Sequence, residues 1–368
     1  MGPRIVVAAG GTGGHIYPGL ATADAIRALA PDASVTFVGT PRGLEQRLIP
    51  PTGYALELVD MVPWRGARRS PGFGAALARA SRQAGKVLRK LDTQAVVAMG
   101  GYPSLPTVLA ARRRRIPVVI HESGATGGRA NRLAARFTRH VALSFASAAS
   151  AFPRREVRVV GMPLSADIAS FDREGVRPAA RAEYEMAPGV TMVLINGGSQ
   201  GSATLNALAV GLGERWRERD DIRVVVKAGR DNAEAVAAEL KSSGGERVVR
   251  CVTYLDRMVT AYAAADIAVC RAGAGTVAEL ATCGLPSILV PYPHSLDDDQ
   301  GHNANVLVEA GAAIRIDDGD AVADTVGPRL EDWIAHPKKL EAMAAAANGA
   351  GHAHAAATLA QWVLDLAQ

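Results

Sequence analysis

Aromatic residues make up only 5% of this 368-residue chain, too few to interleave with its arginines as a base-stacking platform requires, which disfavours a nucleic-acid surface. Cysteine is as scarce. Cys251, Cys270 and Cys283 are an odd number at no metal-like spacing, so neither a disulfide framework nor a zinc site is expected, and all three read as reduced residues of a cytosolic protein. No apolar run approaches the ~20 residues of a spanning helix. No signal-peptide pattern is visible either, because Arg4-Ile-Val-Val-Ala-Ala-Gly10 reads as a strand entering a glycine turn. A soluble or peripheral protein is expected. The first glycine run, Gly10 to Gly14, has no P-loop lysine after it. It also lacks the spaced GxGxxG order and has no acid after the next strand at the expected ribose position, which disfavours a dinucleotide cofactor.

What is present is apolar and unevenly charged. With 48% hydrophobic residues, the chain can hold about two domains of ordinary size. Formal net charge is +5, but between Val62 and Arg115 the cations Arg65, Arg68, Arg69, Arg79, Arg82, Lys86, Arg89, Lys90 and Arg112 through Arg115 face Asp92 alone. Within that block Phe73, Leu77, Ala80, Ala84, Val87, Leu88 and Leu91 share one helical face, and Arg79, Arg82, Lys86 and Arg89 share another. An ordinary solvated face and a surface docking on anionic lipid headgroups are both open readings.

Strand–loop–helix repeats fill the rest. Ile5 to Ala9 leads into Gly10-Gly-Thr-Gly-Gly14-His15 and a helix from Pro18 to Ala30, with Pro18 in its first turn. Ser34 to Val38 leads into Gly39-Thr-Pro-Arg-Gly-Leu-Glu45. Ala95 to Met99 feeds Gly100-Gly101-Tyr102-Pro103, and Ile116 to Ile120 presents His121 and Glu122. A second set opens at Thr191 to Asn196 with Gly197-Gly-Ser-Gln-Gly-Ser202. The most informative stretch is Cys270 to Ala313: a strand, the turn Arg271-Ala-Gly-Ala-Gly275, a helix from near Thr276, a strand from Ser287, the acidic loop Asp297-Asp-Asp-Gln300 and a helix from near His302. Free backbone N–H groups at such a helix start suit phosphate, and Glu279, one turn on, is in reach of a ribose diol. The expected fold class is α/β: two facing Rossmann-like, doubly wound domains with an interdomain cleft. The expected boundaries are 1–162 for an N-terminal acceptor and membrane-side domain, 163–188 for a linker, 189–350 for a C-terminal nucleotide-sugar domain and 351–368 for a terminal helix.

The series GGTGGH, GGYPSLP, HES, GGSQGS and RAGAGTVAE, in this order and at these distances, resembles the MurG family. These are peripheral membrane glycosyltransferases of two-domain (GT-B) fold that add N-acetylglucosamine to the lipid-linked muramyl-pentapeptide precursor of peptidoglycan. The resemblance runs from Val6 to about Ala313. It implies an inverting, metal-independent transfer with no cofactor, from UDP-GlcNAc as donor to a lipid-linked acceptor. The implied place is the cytoplasmic face of the cell membrane, reached through the basic 65–115 region. It further implies donor contacts from Ser199, Gln200, Leu255, Arg271, Ala274, Gly275, Thr276, Glu279, Gln300 and Asn303. Thr12, Gly13 and Gly14, in a loop lining the acceptor side, are counted with them. Acceptor contacts fall to Gly11, Tyr102, His121 and Asn131.

His15 is the candidate base, since an imidazole suits proton removal near neutrality; Glu122 is its rival. The helix start at Thr276 and the turn at Ser199 would meet the leaving-group charge in place of a metal. Two positions depart from the family pattern: Gly124 where His-Glu-x-Asn is expected, and Ser165 where an arginine would meet phosphate, a loss that Arg129 or Arg271 could make good. A relative acting on another acceptor, an idle UDP-sugar-binding scaffold and a UDP-GlcNAc 2-epimerase are the alternatives. The basic stripe and GGTGGH fit the last poorly.

Overall fold

The computed structural model describes residues 2–62, 72–198, 201–255 and 257–368, and the chain divides into two compact units, Met1–Ala169 with His352–Gln368, and Ser170–Gly351. Arg65, Arg68, Arg69, Ser199 and Gln200 lie outside the described residues.

Among the described residues, the first unit is built on seven strands: β1 (Arg4–Ala8), β2 (Ser34–Gly39), β3 (Ala55–Leu58), β4 (Ala95–Ala98), β5 (Val118–Glu122), β6 (His140–Leu143) and β7 (Glu156–Val159). They form one parallel sheet in the order β3-β2-β1-β4-β5-β6-β7. The continuous apolar runs of β1 and β4 are explained by burial on both faces. Ile5, Val7 and Val97 pack with Ile16, Ala23 and Ile26 of the helix Gly13–Leu29. Val6, Ala8 and Val96 pack on the other side with Ala84 and Leu88 of the helix Phe73–Lys90 and Val108 of Leu105–Arg113.

The helix Ala355–Asp365 joins the first of these faces through Leu359, Ala360 and Val363. The end of the chain therefore belongs to the first unit's core rather than standing alone. Fully burying a side chain the size of Leu359 or Val363 contributes on the order of 1.5–3 kcal/mol.

The second unit carries six described strands: β8 (Thr191–Asn196), β9 (Ile222–Lys227), β10 (Val249–Val252), β11 (Ile267–Cys270), β12 (Ser287–Leu289) and β13 (Ala313–Arg315). Their parallel order is β10-β9-β8-β11-β12-β13. In both sheets the order reverses beside the first strand of the set, between β1 and β4 and between β8 and β11. Loops there leave in opposite directions and open a crevice at the carboxyl edge.

Two expectations change. The helix after β1 begins at Gly13, with Thr12 extended at its N-cap and accepting from His15 N and Ile16 N at 3.2 and 3.3 Å. Pro18 is therefore inside it rather than in its first turn, and Gly13, Gly14 and His15 form that turn. Segment 163–188, expected as a connector, carries the helix Arg173–Glu183, whose N-cap Asp172 accepts from Gly175 N at 3.2 Å. Its gripping residues are arginines: Arg177 and Arg181 reach Asp266 at 2.5 and 3.3 Å. An anchor made of charge leaves no apolar period to read.

Candidate active site

At the first sheet's switch point, the loop after β1 and the loop after β4 meet around one imidazole. His15 is half-buried, and its Nδ1 lies 3.3 Å from the Thr12 hydroxyl. Gly100 and Gly101 have φ of +93° and +74°, and a β-carbon on either would stand 3.3 Å from the His15 ring. Both the left-handed backbone and the close approach require glycine there. Burial holds the His15 pKa below its ordinary value, opposed by the Gly10 carbonyl, which accepts from the ring, and by the Glu45 carboxylate. The ring is therefore neutral at neutral pH, the form that can take a proton.

Glu122 ends β5 and is 6% exposed. Its Oε1 accepts from Gly124 N at 3.1 Å, and its Oε2 accepts from Gly128 N and Asn131 Nδ2, both at 2.9 Å. Asn131 also donates to the His121 carbonyl at 3.0 Å. His121 is wholly buried; its Nε2 donates to the Gly161 carbonyl at 3.1 Å, and the Ser123 hydroxyl lies 3.4 Å from Nδ1. Burial lowers its pKa to about 4. His121 has no surface with which to touch an acceptor, and Glu122 and Asn131 spend their polar atoms on the loop 123–131. These three hold the loop that borders His15. Gly11 and the half-buried Tyr102 remain at the edge, a β-carbon on Gly11 being 3.7 Å from the Tyr102 ring. At Gly124 a β-carbon would meet its nearest atom at 3.4 Å; the departure is not forced by space. Ser165 is exposed.

Glu45 carries the feature missed in the sequence. It is fully buried; Oε1 accepts from Thr40 N at 3.0 Å and Thr40 Oγ1 at 3.1 Å, while Oε2 has no hydrogen-bond partner among the described residues. Gly10, Gly39 and Gly43 all face it. The spacing of these glycines around one acid was the available signal.

At the second sheet's switch point the helix Ala274–Thr282 starts directly above β11. Ala274, Gly275 and Thr276 of its first turn are half-buried, and their orphan N–H groups suit an anion. Glu279, also half-buried, accepts from the hydroxyl of buried Tyr262 at 2.8 Å. Burial, then the Glu279 charge, pushes the Tyr262 pKa well above its ordinary value, so it stays a donor.

Arg271 is committed: Nη1 to Asp318 at 2.5 Å and to the Val290 and Pro291 carbonyls at 3.2 Å, Nη2 to Ser202 Oγ at 2.7 Å. Ser202 in turn accepts from Leu205 N at 3.3 Å as N-cap of the helix Ala203–Arg215. Arg271 thus ties Ser202 to the sheet and is not a spare cation. Arg129 also has a partner.

Gln300 Oε1 accepts from Ala272 N and Tyr292 N at 3.1 and 2.9 Å, and the buried Asn303 donates to the Ala272 carbonyl at 3.1 Å. Both sit on the helix Asp299–Glu309, which starts earlier than expected, and both brace the 271–273 turn; the Leu255 side chain is buried beside β10. Asp297 and Asp298 have left-handed φ of 55° and 52°, which splay the acidic loop. Among the described residues no group of three His, Cys, Asp or Glu side chains is placed to hold a metal ion.

Two family models match the chain: the glycosyltransferase family 28 N-terminal domain over residues 5–143 and the family 28 C-terminal domain over residues 192–359. A relative from Mycolicibacterium smegmatis, the UDP-N-acetylglucosamine–N-acetylmuramyl-(pentapeptide) pyrophosphoryl-undecaprenol N-acetylglucosamine transferase, is 40% identical, covering 100% of this chain and 95% of its own. Among solved structures, Acinetobacter baumannii MurG has a TM-score of 0.80 at 26% identity, covering 99% of each chain. UDP-GlcNAc 2-epimerase from Neisseria meningitidis, bound to UDP-GlcNAc, has a TM-score of 0.70 at 12% identity, covering 98% of this chain and 100% of that one. The last shares the fold alone.

Proposed function

The chain belongs to glycosyltransferase family 28, and from that premise we infer that it is the hexosyltransferase that moves N-acetylglucosamine from UDP-GlcNAc to the lipid-linked muramyl-pentapeptide in peptidoglycan synthesis. The carrying observation is the 40% identity that spans the whole chain; the two switch-point edges of the GT-B fold agree with it. His15 takes the proton of the acceptor hydroxyl as its oxygen attacks the anomeric carbon, and the bond to UDP breaks. The open first turn at Ala274 to Thr276 meets the charge left on the diphosphate, and Glu279 accepts from the ribose hydroxyls. The leaving group is met by backbone dipoles, so no metal or cofactor is needed.

The assay is UDP release from UDP-GlcNAc with and without a short-chain lipid diphosphate muramyl-pentapeptide. Acceptor-dependent release, unchanged in EDTA, with one N-acetylhexosamine added to the product mass, is the expected result. UDP-ManNAc formed without acceptor would favour epimerisation. UDP binding without any product would favour a scaffold.

The acceptor is a lipid, and we place the enzyme peripherally on the cytoplasmic face of the membrane. Among the described residues no helix is long and apolar enough to cross a membrane. Helix Phe73–Lys90 turns Ala76, Ala80, Ala84 and Leu88 inward, so its apolar face is used by the fold. Arg82, Lys86 and Arg89 face solvent beside exposed Arg112 to Arg115, each cation near an anionic surface adding about 1 kcal/mol. Combined R82E, K86E and R89E substitutions are expected to lower sedimentation with phosphatidylglycerol vesicles at least tenfold, with no change in transfer to a detergent-dispersed acceptor. Equal sedimentation of variant and parent would assign the stripe to ordinary solvation.

A further inference from the structure

Lys227 is the last residue of β9 and is 6% exposed. Yet its ammonium makes no hydrogen bond or ion pair among the described residues, and its partner is the Tyr254 ring, 5.3 Å from Nζ to the centroid. A buried cation with no hydrogen-bonded counter-charge is costly, and burial lowers its pKa, opposed only in part by the Glu279 charge. Such a group is kept when something else arrives to pair with it.

The register says where it stands. Lys227 pairs with Asn196 of β8, and Asn196 pairs with Cys270 of β11. The three side chains therefore share one face in one row along the carboxyl edge. Asn196 leads into Gly197 and Gly198, its Oδ1 accepting from Gly198 N at 3.0 Å. Cys270 opens into the helix Ala274–Thr282. The charged or titratable groups that act on Lys227 are Cys270 and Glu279, both favouring its charged form. Tyr254, which covers the ammonium, is itself 62% exposed, so the cover is a surface side chain free to turn aside.

We propose that Lys227 is the cation reserved for the diphosphate of the donor nucleotide, held unpaired beside the switch point until a nucleoside diphosphate binds. The proposal rests on the reading that this edge takes UDP-GlcNAc. Arg271, another cation at this edge, is already paired with Asp318.

Calorimetric titration of the full chain with UDP and uridine, for the parent, K227M and K227R, tests it. K227M is expected to bind UDP about tenfold to a hundredfold more weakly, the range of a charge-assisted contact, with uridine affinity unchanged and K227R close to the parent. The melting temperature of ligand-free K227M is expected to hold or rise, because an unpaired buried charge is gone. UDP affinity within twofold of the parent, an equal loss for uridine, or a fall in the ligand-free melting temperature would each overturn the proposal. A parent protein that binds no UDP would instead overturn the donor reading itself.

Discussion

Replacing His15 with alanine lowers kcat about 10²–10⁴-fold, the usual worth of a positioned base, while UDP affinity stays within twofold, because the nucleotide contacts proposed above are those of Ala274 to Thr276 and Glu279. The pH profile carries the same information. A base must be neutral to act, so the rate falls as pH drops through its pKa. Burial holds that pKa below 6.5 in the free protein, so the acid limb of kcat/KM lies below 6.5. His121, with a pKa of about 4, stays neutral through that range and adds no limb of its own. The rival, Glu122, accepts from Gly124 N, Gly128 N and Asn131 Nδ2; its loss should loosen the 123–131 loop and weaken acceptor binding with kcat. A His15→Ala enzyme with kcat within threefold of the parent would move the base elsewhere.

Much of this was legible because glycine turns after apolar strands are local signals. The motifs after β1, β4, β5 and β11 lie at carboxyl ends of parallel strands, and the strand order that brings those of one sheet together follows from the doubly wound rule. What was not legible depended on partners distant in sequence. Arg271 reads as a phosphate cation until Asp318, 47 residues on, takes its charge. His121 and Asn303 read as ligand contacts until their burial is known, since motif membership does not say whether a side chain faces the ligand or braces the backbone that does. Strand β3 did not stand out because it is an edge strand with no fully buried residue and hence no apolar run, and Pro18 drew the first helix start to the wrong place, away from the glycines that actually form its first turn.

The double substitution G10A/E45A is expected to be more stable than the sum of its parts. A β-carbon on Gly10 would come 2.8 Å from Glu45 Cδ and closer still to Oε1. Glu45 cannot swing away freely, because Thr40 holds Oε1 through two hydrogen bonds and Gly39 and Gly43 close on its stem and on Oε2. Gly10→Ala alone is therefore an overpacking change, costing about 1–3 kcal/mol. Glu45→Ala alone leaves the Thr40 N–H and hydroxyl unpaired, about 1–3 kcal/mol. In the E45A background the alanine methyl enters space the carboxylate has left, so its cost should fall by at least about 1 kcal/mol as a coupling energy. Denaturation midpoints of the parent, both single variants and the double variant measure this directly. Strict additivity would mean that the carboxylate yields toward its unpartnered Oε2 side and the cage is loose. Activity separates packing from chemistry in the same set. The Gly10 carbonyl accepts from the His15 ring, so a displaced loop lowers kcat in G10A. The double variant, its loop restored but the Glu45 charge absent, should regain stability while its acid limb shifts to lower pH, since that charge favours protonated His15.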